Sequence, residues 1–144
     1  NELLPPFINL GKLGLNLGMQ GVQFTSTSTV AENQALSNPL YVHSIPTNND
    51  NQDMVSMGTN SALIAKKVID NAYQVQAIEM IALLQAVDFL KAGNRLSDTT
   101  RKYYGKLREL VPMFVEDSPM HKDIEKVKSY LFNTRVDLPG KEKV

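Results

Sequence analysis

The sequence predicts an all-α protein, and three observations carry that reading. Residues 52–91 contain no proline and a single glycine, Gly58, so a long helix can run through them unbroken. No stretch sustains the alternation of apolar and polar residues that a half-buried strand needs. Two later segments carry helix signals: one opens at a capping Ser97 or Asp98 and is ended by Pro112, and the other opens at Ser118-Pro119 with apolar side chains on one face.

The elements follow in order. Residues 1–16, NELLPPFINLGKLGLN, are rich in Gly, Pro and Leu without a sustained period, which predicts an irregular, partly buried opening segment. Residues 17–37 form the first predicted helix, with Met19, Val22, Phe24, Val30 and Leu36 as its apolar contacts. The run Thr25-Ser26-Thr27-Ser28-Thr29 is unusual there, because these residues favour caps and turns, yet small side chains let a neighbouring helix approach closely. Residues 38–51, NPLYVHSIPTNNDN, read as loop: Pro39 and Pro46 restrict the backbone before them, and the Asn/Asp cluster favours turns. The long helix is expected to begin near Asn51 or Gln52, with Asp53 in its first turn at the positive end of the dipole. Its early part is amphipathic through Ile64, Val68, Ala72 and Val75. Later, in AIEMIALLQAVDFL (residues 77–90), apolar side chains point in nearly every direction. A helix apolar all round must be buried all round. A chain of 144 residues covers such a helix only in part. The excess points to other chains or to further parts of the same chain, with Ile81 and Leu84 among the side chains offered. Lys91-Ala92-Gly93-Asn94 supplies a glycine stop. Ser97 or Asp98 caps a helix over about 98–111 that Pro112 ends. Ser118-Pro119 opens another, running to about Asn133 with Ile124, Val127, Tyr130 and Leu131 on one face. The tail DLPGKEKV is polar and expected to fray.

Composition removes several classes of function. Fifteen basic residues balance fifteen acidic ones, so the basic excess of a nucleic-acid surface is missing. The sequence has no cysteine, which excludes disulfides and thiolate metal sites, and its two histidines, His43 and His121, lie far apart, so no metal site is expected. Glu79, Gln85 and Asp88 interrupt the longest apolar run, which argues against a membrane span. With no charged-then-apolar leader in evidence, a cytoplasmic protein is the expectation.

Few residues offer chemistry. His43 sits in a loop between Val42 and Ser44 with no nucleophile-and-acid signature around it; its plain reading is a backbone hydrogen bond. His121, near a helix start, reads as a surface residue, and Glu116/Asp117 as a solvated turn. The run NNDNQD is more dense in polar groups than a helix mouth requires. Asn51 as an N-cap, with Asn48, Asn49 and Asp50 as turn residues, is one reading. The other places Asn48 and Gln52 in a pocket at a helix N-terminus, where backbone donors favour anionic groups. Local chemistry leaves both open.

A wider pattern bears on the choice. LPPF (4–7), VAENQALSNP (30–39), HSIPT (43–47), NQDMVSMGT (51–59) and QVQAIEMIALLQAVDFL (74–90) occur in this order. Together they resemble the C-terminal part of the aromatic amino acid ammonia-lyases, the histidine, phenylalanine and tyrosine enzymes. The resemblance is clear over residues 1–95 and weaker over 96–144. It implies an all-α, aspartase/fumarase-like fold whose long helices bundle at the centre of a homotetramer. It also implies a methylidene-imidazolone electrophile formed autocatalytically from an internal Ala-Ser-Gly. No Ser-Gly dipeptide occurs in this chain. The resemblance therefore places that group, the tyrosine-bearing lid loop and the substrate-binding arginine upstream. No catalytic residue is expected in these 144 residues, which supply one wall of a pocket.

The resemblance also assigns that wall. The position matching Gln52 faces the substrate from the start of the long helix. Histidine-specific members usually carry Glu there, a carboxylate that can pair with imidazole; phenylalanine- and tyrosine-acting members usually carry Gln. Asn48 matches a second pocket position, where tyrosine-acting members often have Asn. An amide has no charge to offer an imidazole and is no base at neutral pH. Gln52 thus leans toward tyrosine or phenylalanine, although HSIPT and VSMGT look more like the bacterial histidine enzymes. A 2,3-aminomutase on the same scaffold and a non-catalytic helical oligomerisation module are the alternatives.

Overall fold

In a computed structural model, the described residues are 3–42, 44–49, 51–52 and 55–135, with the backbone alone for Tyr41. His43, Asp53 and the tail from residue 136 lie outside them. Among the described residues there are four α-helices and no strand: α1 (Gln20–Ala35), α2 (Gly58–Phe89), α3 (Asp98–Leu110) and α4 (His121–Asn133).

The helix of 32 residues, α2, is the spine. Its second half supplies Ala77, Ile78, Ile81 and Leu84 to the core, joined by Met19 before α1, Leu107 from α3 and Val111 just after it, and Ile124 and Val127 from α4. Before that stretch, Ile64, Val68 and Val75 are half-buried as the amphipathic spacing predicts, whereas Ala72 is exposed. Against α4, the Tyr73 and Phe132 rings meet edge to face at 5.3 Å, and Lys128 pairs with Asp70 at 2.9 Å. The α4 face is the one the spacing predicts, with Ile124 and Val127 buried and Tyr130 and Leu131 half-buried. Helix α3 is capped as expected: the Ser97 hydroxyl accepts from the Thr100 N–H, Asp98 sits in the first turn and Arg108 in the last.

Four expectations need correction. Helix α2 starts at Gly58, not near Asn51, and no acidic residue lies in its first turn. Its cap residue, Met57, takes a left-handed φ of 51° and makes no side-chain cap. The stop after α2 is not Gly93. Lys91 adopts the left-handed conformation (φ 49°), its N–H reaches the Asp88 carbonyl and the Ala92 N–H reaches that of Val87, a Schellman turn built on a lysine. Lys91→Gly should therefore raise unfolding free energy by about 1 kcal/mol in chemical denaturation, because glycine adopts this φ without the Cβ clash. In α1, Phe24 and Val30 are 68% and 42% exposed, and the buried residue of the helix is Thr29. Along residues 77–90, Ile81 and Leu84 are buried within the chain itself; the open side chains are Leu83, Phe89 and Leu90, at 50%, 44% and 43%.

Candidate functional site

Residues 36–57 connect α1 to α2, and both expected substrate-facing residues lie on one turn of that connection. Thr47 and Gln52 pair antiparallel: the Thr47 N–H donates to the Gln52 carbonyl at 2.9 Å and the Gln52 N–H to the Thr47 carbonyl at 3.2 Å. Between them Asn48 and Asn49 both take a left-handed φ of 55°, and the Asn51 N–H closes onto the Asn48 carbonyl at 3.1 Å. Asparagine tolerates this conformation better than other residues with a Cβ, which is why the Asn-rich run builds a hairpin turn instead of a cap. It also explains the late start of α2, since the backbone of Gln52 is already committed to Thr47.

The turn is exposed, and Asn48 and Gln52 are exposed on it. The Gln52 amide oxygen accepts from the Thr47 hydroxyl at 3.2 Å. The Val55 N–H donates to the Ser44 hydroxyl oxygen at 2.8 Å and ties the two limbs of the connection together. The groups so presented are neutral amides, able to donate and accept hydrogen bonds but not to move a proton at neutral pH. Gln52 is therefore suited to orient a ligand. Among the described residues, no group of His, Asp and Glu is arranged to hold a metal ion, and no helix is long and apolar enough to cross a membrane.

Two polar networks, neither legible in the sequence, join α2 to its neighbours, one along α1 and one at the far end of α2 from this turn. Between α1 and α2, the Asn71 amide donates to Glu32 Oε2 at 2.6 Å and to Asn33 Oδ1 at 2.9 Å. Gln74 donates to the Thr29 hydroxyl at 3.1 Å. Between α2 and α3, Asp88 forms an ion pair with Arg108 and accepts from the Tyr104 hydroxyl. Gln85, fully buried, receives Arg108 Nη2 on its amide oxygen at 3.1 Å and donates to the Phe114 carbonyl at 2.8 Å. The hydrogen bond to Asp88, then burial and the carboxylate charge, hold the Tyr104 hydroxyl above the usual tyrosine pKa against the opposing effect of Arg108.

The remaining candidates sit elsewhere. His121 is the exposed first residue of α4 and lines a cavity of about 330 Å³ with Leu17, Val22, Phe114 and Asp117, at the end of α1 remote from the turn. Asp117 is more than a solvated turn residue. Its carboxylate accepts the N–H groups of Leu17 and Gly18 at 2.6 and 3.0 Å and fastens the opening segment to the α3–α4 linker. A separation of about a hundred residues hid this contact from local reading.

Comparison with known proteins agrees with this scaffold. The family model described as aromatic amino acid lyase matches residues 1–109. A histidine ammonia-lyase of Staphylococcus saprophyticus is 42% identical over 91% of this chain and 26% of its own length. A tyrosine ammonia-lyase of Cupriavidus metallidurans is 36% identical over 91% and 25%. The crystal structure of a tyrosine aminomutase from Streptomyces globisporus superposes with a TM-score of 0.85 at 41% identity, covering 89% of this chain and 24% of that one. The chain thus spans about a quarter of the length of the relatives it matches. On the family match and the all-helical scaffold together, the chain belongs to the aromatic amino acid lyase family.

Proposed function

We propose that the full-length protein eliminates ammonia from L-tyrosine or L-phenylalanine to give an aryl acrylate, and that Asn48 and Gln52 face the ring of the substrate. The observation that carries the substrate choice is the identity of residue 52, a neutral amide where the histidine-specific pattern has a carboxylate. Exposure of the turn supports the reading, since both side chains stand where a ligand could reach them. The electrophile does not fit this chain as its source, because no serine in residues 1–144 is followed by glycine. It belongs to other residues of the full-length protein, and what this chain contributes is binding.

An aminomutase that re-adds the ammonia is the second reading, favoured by the likeness to the Streptomyces tyrosine aminomutase. Product analysis separates them. With tyrosine, a lyase accumulates acrylate, whereas a mutase also yields the β-amino acid. Residues 1–144 alone should form no product from tyrosine, phenylalanine or histidine above a buffer control. Turnover that tracks the purified chain would overturn the assignment of the electrophile to other residues.

The oligomer, a homotetramer by the same proposal, is supported by the open face of α2. Burial of apolar surface stabilises by roughly 25 cal/mol per Å², and Leu83 and the cap residue Leu90, about two turns apart on one side of the helix, offer such surface together with Phe89. The chain should self-associate, and Leu83→Asp should weaken association without unfolding it. A compact monomer at high concentration in sedimentation, unchanged by Leu83→Asp, is the contrary result.

A further inference from the structure

We infer that Asn71 is a positioning residue for the turn that carries Asn48 and Gln52, acting through the hydrogen-bonded seam between α1 and α2. The inference rests on the substrate-facing role proposed for that turn. The two helices run antiparallel, with Asn33 beside Val68, Glu32 beside Asn71 and Thr29 beside Gln74. They are joined by residues 36–57, so their relative register sets where the connection begins and ends.

At the connection end, apolar packing is thin: Val30 is exposed, Leu36, Ile64 and Val68 are only half-buried, and the one buried residue of α1 is Thr29. The seam there is polar instead. Asn71 is 3% exposed and gives both of its amide hydrogens to α1. The Asn33 amide reaches across to the Val68 carbonyl at 3.4 Å, and Lys67 stands 3.6 Å from Glu32. A leucine at position 71 would cover the same surface without the desolvation cost of a carboxamide. What the amide adds is direction: apolar helix faces slide past one another at small cost, whereas these hydrogen bonds form in one register only. A slip of one helical turn would displace the end of α1 by about 5.4 Å along α2, and the connection would carry the turn with it.

The test uses the full-length protein with three variants: Asn71→Leu, Asn71→Asp, and Asn71→Asp combined with Glu32→Gln. The combined variant reverses the donor and acceptor of the central bond and restores it. Two readouts are taken: kcat and KM separately for tyrosine and histidine, and hydrogen exchange over residues 44–57. Asn71→Leu and Asn71→Asp should change the tyrosine-to-histidine ratio of kcat/KM by on the order of tenfold and speed exchange over 44–57. The combined variant should bring both back toward the parent values. If the ratio and the exchange stay at parent values while only thermal stability moves, Asn71 is a packing residue and the inference is overturned. Should the parent turn over no aromatic amino acid, the proposed function fails, and exchange over 44–57 still decides whether Asn71 positions the turn.

Discussion

Arg108→Ala should destabilise the fold by about 3 kcal/mol or more, the range seen when one partner of a buried ion pair is removed. The Arg108 and Asp88 side chains are 13% and 15% exposed, so solvent replaces little of what is lost. The substitution strips the guanidinium from three acceptors at once: the Asp88 carboxylate, the Gln85 amide oxygen and the Val111 carbonyl. Asp88 keeps its hydrogen bond from Tyr104 but no longer has a countercharge. The control is Arg108→Met combined with Asp88→Asn, which leaves no charge in the α2–α3 junction and should cost much less than Arg108→Ala alone. Urea denaturation with a common slope gives both values. Equal losses in the two proteins would mean that the network contributes packing and little electrostatics.

This junction shows what the sequence could and could not reveal. Gln85 and Asp88 are visible as polar interruptions of an apolar run, and Arg108 as an unremarkable member of an exposed-looking helix. Their meeting depends on how α3 folds back on α2, which no local pattern encodes. The same holds for Asn71 with Glu32, and for Asp117 with the Leu17 and Gly18 amides. Features set by local rules were legible. The period of α2, the Ser97 cap, the stop at Pro112 and the α4 face all follow from spacing and capping chemistry, and the structure has them. Local rules place Asn48 and Asn49 in a turn, which the structure has, but they misplace the start of α2: Asn51, read as a cap, lies inside the turn closed by the pairing of Thr47 with Gln52, and the helix begins only at Gly58. Lys91 was hidden for a related reason, since glycine is the usual left-handed stop and Gly93 stood two residues away. For the candidate site, local chemistry and the resemblance single out Asn48 and Gln52 as an expectation, and the structure adds that they share one exposed turn ahead of α2.

Gln52→Glu should redirect substrate preference in the full-length protein. The change puts a carboxylate where the proposal places the substrate ring. A phenyl or phenol ring gives that charge no partner, and an unpaired charge shut away from water is costly. An imidazole can pair with it. The variant should lose kcat/KM on tyrosine and phenylalanine by on the order of 10²-fold, about 2.7 kcal/mol of transition-state stabilisation, and lose much less on histidine or gain. The Thr47 hydroxyl, which now donates to the Gln52 amide oxygen, can donate to the carboxylate as well, so the turn itself should persist. Gln52→Ala isolates the amide, since it removes the hydrogen bond without adding charge. If Gln52→Ala alters neither rate nor preference, residue 52 serves the turn and not the substrate.

The substrate ranking of the unaltered full-length protein decides whether Gln52 sets substrate class. It requires kcat/KM for tyrosine, phenylalanine and histidine under one set of conditions, because that ratio measures discrimination. With a neutral amide at position 52, tyrosine or phenylalanine should be turned over more efficiently than histidine. A strong preference for histidine by the protein that carries Gln52 would contradict it.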